Sequence, residues 1–110
     1  IDWQQRARAI ERQVRAMMPW PGAYTHWQGN MLKVWKAGCL EGRASVSPGT
    51  IMAADAQGIA VATGEGDLVI HELQLAGKRR MSAQEFLAGH HFTVGEQLGE
   101  GQGAGGRGRG

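Results

Sequence analysis

Residues 50–75, TIMAADAQGIAVATGEGDLVIHELQL, decide the fold. Apolar and β-branched runs over 50–54, 59–63 and 68–75 are separated by DAQG and GEGD, both turn-forming. Connections this short predict antiparallel neighbours, because a parallel pair needs a crossover of about a dozen residues or more. The last run breaks its own alternation. Leu68 and Ile70 share one parity while Leu73 and Leu75 share the other, so a bulge at His71 and Glu72 is needed to return all four to one face.

Upstream, two more strands are read over 23–27 and 31–37, joined by QGN. Five short strands are too few for a sandwich and enough for a small barrel. Strict alternation sends Lys33 and Lys36 to opposite faces of the second strand, so a shared side for them requires an irregularity there too. Ahead of the strands, Trp3, Ala7, Ile10, Val14 and Met17 recur at spacings of a helical stripe. Asp2 and Gln5 approximate a capping box at its start, and Pro19 and Pro21 end it near Met18. Behind the strands, Ser82 and Glu85 form a second capping box, Met81 is placed to staple against Phe86, and Gly89 is expected to stop the helix in the left-handed conformation. The organisation expected is a connecting helix over 1–18, a barrel over 19–98 and a flexible Gly/Arg-rich tail over 99–110.

With 110 residues, 42% hydrophobic and a formal charge of +2, the chain is read as one small domain or a fragment of something larger, and two domains within it are excluded. No apolar run approaches the roughly 20 residues of a membrane span and no leader pattern opens the chain, so a cytoplasmic location is expected. Cys39 has no disulfide partner and is read as a small buried residue. Ser45 and Ser47 lie in a loop, Ser82 is a cap, and none has the setting of a nucleophile. His26, His71, His90 and His91 lack recurring ligand spacing, so no metal site is expected. GEGD lacks the Lys-Ser/Thr that a phosphate loop needs and is read as a turn.

Clustered positive charge remains: Arg6, Arg8, Arg12 and Arg15 on the first helix, Lys33 and Lys36 around Trp35, and Lys78, Arg79 and Arg80 in a loop. The helix arginines are read first as a solvated face, and Tyr24, Trp27 and Trp35 as core. The three adjacent cations of the loop are different, since their mutual repulsion has no folding rationale in the sequence and phosphate binding supplies one.

The strings IDW at 1–3, RAMMPWPGAY at 15–24, KVWKA at 33–37, SPGTI at 47–51, GIAVATGEG at 58–66 and ELQLAGKRRMSAQEFLAG at 72–89 resemble, in order and spacing, the C-terminal domain of the methionyl-tRNA formyltransferases. The resemblance covers nearly everything before Gly99. It implies a mainly β fold, a small open OB-like five-stranded barrel with an N-terminal connecting helix and a short C-terminal helix. It also implies that catalysis belongs to an N-terminal Rossmann-like domain that binds 10-formyltetrahydrofolate, so no catalytic residue and no cofactor are assigned to this chain. The partner implied is initiator methionyl-tRNA, met by Lys33, Lys36, Lys78, Arg79 and Arg80, with Arg12, Arg15 and Arg43 as further candidates. A competing expectation is a structural buttress that packs on the catalytic domain through the apolar stripe of the first helix.

Overall fold

The computed structural model describes residues 1–42 and 46–99. In chain order the elements are α1 (Ala7–Met17), β1 (Ala23–Trp27), β2 (Asn30–Leu40), β3 (Ile51–Asp55), β4 (Gly58–Ala62), β5 (Asp67–Leu75), the two-residue β6 (Met81–Ser82) and α2 (Ala83–Gly89). The strands form one antiparallel sheet in the order β1-β2-β5-β4-β3, with β6 beside β5. All five expected strands are present; β6 is an addition, because Met81 pairs with Leu73 before the second helix begins. The sheet is open. Segment 95–99 runs between its edges: Leu98 and Gly95 donate to the carbonyls of Gly49 and Ile51, and Gly99 donates to that of His26 at 2.9 Å.

The parity conflict in β5 is resolved by a bulge where the alternation demanded it. Ala37 pairs with Ile70 and Lys36 with Glu72, leaving His71 unpaired, and Leu68, Ile70, Leu73 and Leu75 are all buried. A matching irregularity sits on β2, where Val34 pairs with Leu73 and Lys36 with Glu72, leaving Trp35 unpaired. These side chains join Ile10 and Val14 of α1, Phe86 of α2, Trp3 and Leu98 in one core. Full burial of an aliphatic chain such as Ile10 contributes about 1.5–3 kcal/mol. Both helices therefore pack on the inner face of the sheet, and among the described residues no helix lies on the outer face of β1, β2 and β5.

Two expected helix ends differ. The first helix begins at Ala7 with Arg6 as an N-cap that supplies no side-chain bond, and Asp2 instead accepts from the Gln4 amide at 3.0 Å in a preceding turn. The amide that Asp2 does not reach, that of Ala7, donates to the Glu65 carbonyl at 2.9 Å, and the Gly64 amide donates to both Trp3 and Gln5. The turn read from GEGD thus also holds the entry to α1, satisfying an end that local capping leaves open. At the second helix the capping box is complete, with Ser82 accepting from Glu85 at 3.1 Å and Glu85 from Ser82 at 3.0 Å. Gly89 is not left-handed: it is the last helical residue, and His90 follows in extended conformation with its amide on the Phe86 carbonyl.

Candidate nucleic-acid interface

The outer face begins with the β2 irregularity. Lys33 pairs with Gln74 and Lys36 with Glu72, and these two partners flank buried Leu73. Paired residues of an antiparallel ladder share a face, so the unpaired residue at Trp35 puts Lys33 and Lys36 on the same side. Trp35 comes with them. Its indole N–H donates to Gln74 Oε1 at 2.9 Å, while the Lys33 ammonium and the Arg80 guanidinium lie 4.3 and 4.4 Å from its ring centroid. Cations from two distant stretches of sequence thus meet over one indole, each within the range of a favourable cation–π contact.

The loop after β5 is tied into this group. Gln74 Nε2 donates to the Lys78 carbonyl at 2.9 Å, and Lys78 N–H donates to the Leu75 carbonyl. Arg80 Nε donates to Glu72 Oε1 at 2.8 Å, and Arg79 lies 3.4 Å from Glu85. These partners overturn the argument that the loop's repulsion has no relief within the fold, because two of its three cations face carboxylates. Glu85 responds, its carboxyl held below the usual range first by the Ser82 amide and then by Arg79. Lys33 is likewise tethered, its ammonium donating to the Pro19 carbonyl at 3.0 Å. Lys36 and Lys78 are exposed and, among the described residues, take part in no ion pair.

Arg12 and Arg15 belong elsewhere. Between α1 and the end of β2, Arg12 lines a shallow groove of about 600 Å³ with Arg6, Arg8, Cys39 and Glu65, and both arginines line one of about 290 Å³ with Glu11. Arg15 is paired with Glu11 at 2.7 Å. Among the described residues, no hydrogen bond or ion pair links them to the Trp35 group. Arg43, Ser45 and the tail beyond Gly99 lie outside the described residues.

Three side chains depart from their expected settings. Cys39 is exposed rather than buried, near the end of β2 in a groove lined by the polar residues Arg8, Glu11 and Arg12 of α1. Contact with α1 still pushes its thiol up by loss of hydration, aided by Glu11 and opposed by Arg8, Arg12 and Arg15. Trp27 is core, but Trp35 is half-buried on the outer face and Tyr24 is exposed. The histidines have structural surroundings: His71 reaches the Gln57 carbonyl, and His90 stacks on Phe86 at 4.2 Å. Among the described residues no three His, Cys, Asp or Glu side chains converge, and no helix is long and apolar enough to cross a membrane.

The organising role of Trp35 was missed from the sequence. Its only signal was position, a large aromatic between two lysines at the point where their parity conflicts.

Residues 1–91 match the family described as formyl transferase, C-terminal domain. The chain is similar to a methionyl-tRNA formyltransferase of Nitrosococcus oceani, with 50% identity over 95 residues that cover 86% of this chain and 29% of that protein. It is similar to one of Geotalea daltonii as well, with 46% identity over 99 residues, covering 90% and 31%. The chain thus spans about a third of the length of the curated relatives it matches. Among solved structures, HypX from Aquifex aeolicus in complex with tetrahydrofolic acid superposes with a TM-score of 0.63 at 23% identity. That match covers 81% of this chain and 17% of HypX, and it establishes likeness of fold.

Proposed function

Because the chain belongs to the formyl transferase C-terminal domain family, we propose that it is the tRNA-holding domain of a methionyl-tRNA formyltransferase. In this reading the outer sheet face lies along the backbone of initiator methionyl-tRNA and presents the aminoacyl end to a separate catalytic domain. The contribution is positional, since fixing two reactants in a productive orientation removes much of the entropic barrier between them. The 10-formyltetrahydrofolate of the resemblance would be handled by that Rossmann-like domain, and no residue of this chain is given a role toward it. An initiator-tRNA enzyme would work in the cytoplasm. An OB-like closure of the open sheet would be supplied by segment 95–99, which hydrogen-bonds both edges.

The observation that carries the reading is the meeting of Lys33 and Arg80 over Trp35, which joins the Lys33–Lys36 stretch to the Lys78–Arg80 loop on one face. Within that face the roles divide. Lys33, Arg79 and Arg80 are held by protein partners and shape the surface, whereas Lys36 and Lys78 have ammonium groups available to phosphates. Arg12 and Arg15 form a second patch, and Arg43 is a further candidate from the adjoining segment. The buttress reading would have to use another surface than Ala7, Ile10 and Val14 of the α1 stripe, which are buried against this chain's own sheet.

The test is a salt titration of tRNA binding. Removing one phosphate-neutralising cation lowers the log–log salt slope by roughly one unit, so Lys36→Ala with Lys78→Ala is expected to reduce it by about two. Arg12→Ala with Arg15→Ala is expected to leave the slope closer to that of the parent chain. An unchanged slope in the lysine pair would reject this face.

A further inference from the structure

We infer that Trp20, on the turn that abuts Lys33, and Tyr24, the ladder partner of Lys33, form a stacking seat for an unpaired RNA base at the edge of the cationic face. This rests on the nucleic-acid reading above and adds to it what part of the RNA is recognised. Trp20 is 83% exposed, more than any other large hydrophobic side chain among the described residues, and Tyr24 is 42% exposed. Core packing explains neither. Yet the turn that carries Trp20 is held firmly: the Gly22 amide donates to the Met17 carbonyl at 2.8 Å, and the Lys33 ammonium donates to the Pro19 carbonyl at 3.0 Å. Gly22 has φ +89°, and a Cβ there would collide with the Lys33 stem, so that stem lies directly on the turn.

Tyr24 is the ladder partner of Lys33 and stands on the same face. Tyr24 thus stands beside a lysine whose ammonium also lies over Trp35 and whose stem lies on the turn that carries Trp20. Rings carried on a firmly held backbone leave less of the chain to be ordered when a base stacks on them, and every base has a π face to offer. A protein partner would call for a continuous apolar patch. Here Lys33 touches the turn of Trp20, pairs with Tyr24 and lies over Trp35, and Lys36 shares its face of β2, a mixture of ring and charge that suits a nucleotide strand.

The experiment uses this full chain with two labelled probes of equal phosphate number, a short single-stranded RNA and a blunt RNA duplex, read by fluorescence anisotropy. Trp20→Ala is expected to weaken the single strand about tenfold and the duplex less than about twofold. Trp20→Phe, which keeps a ring, is expected to recover most of the loss, whereas Lys36→Ala with Lys78→Ala weakens both probes. If the parent chain binds neither probe at low salt, the tRNA-holding reading itself fails. If it binds both and Trp20→Ala loses nothing on the single strand, or loses equally on both probes, the stacking seat is wrong and the backbone reading stands. Loss of affinity for a formyltransferase catalytic domain supplied in trans, with RNA binding intact, would also overturn the seat and assign Trp20 to a protein contact.

Discussion

Asp67 opens β5 with one carboxylate oxygen buried and, among the described residues, without a hydrogen-bond partner. Burial holds its carboxyl above the ordinary range. Between the ordinary and the raised pKa the folded chain binds more protons than the unfolded one, so stability falls as pH rises through that window and is level above it. Asp67→Asn removes the buried charge. Its thermal midpoint at neutral pH is expected above that of the parent, with a flatter profile on the acid side; a lower midpoint would reveal that the carboxylate has a role in the fold. Gly64 is the opposite kind of residue. A Cβ there would run into the Gln4 carbonyl, which is backbone, so the chain itself would have to shift. Gly64→Ala is expected to destabilise by several kcal/mol, measured by urea denaturation, because it separates the β4–β5 turn from the entry to α1. The turn was legible from GEGD itself; that it grips the distant start of the chain was not, since no local pattern encodes a carbonyl's remote partner.

Among the elements, α2 was the most legible, because its start depends on side chains three residues apart. Ser82→Ala removes the bond to the Glu85 amide and is expected to cost about 1 kcal/mol. The reciprocal half has a pH signature. Glu85 is held below its ordinary pKa, so its contribution is present above that ordinary value and is lost as pH falls through the lowered one. Denaturation of the parent and of Glu85→Gln at neutral and acid pH is expected to converge at the acid end; a constant gap would contradict the assignment. α1 was legible in its stripe, with Ala7, Ile10 and Val14 buried as spaced, but not in its first residue. In β5 the break in parity announced its bulge. The companion irregularity in β2 left only a conflict between Lys33 and Lys36, and the register against β5 resolved it.

For the whole molecule, the open sheet depends on segment 95–99, which bonds to Gly49, Ile51 and His26 and buries Leu98. Removing residues 95–110 is expected to lower the thermal midpoint and expose the β3 edge, with circular dichroism and dye binding as readouts; an unchanged midpoint would mean that the sheet stands without this strap. The cationic face is a property at the same scale. Lys33 and Lys36 share one face of β2 and Arg80 meets Lys33 over Trp35, while Arg12 and Arg15 line a groove beside α1. Alone, the sequence determined the five strands, the flip within β5, the helical stripe and the second capping box, because each is written in periodicity or in bonds between near neighbours. Folding decided the rest: the entry to α1 from a carbonyl of the β4–β5 turn, the common side of two lysines, the exposure of Cys39, and the gathering of charge around Trp35. Those outcomes depend on which backbone groups and faces meet across the sheet, and that is fixed only when distant segments pair.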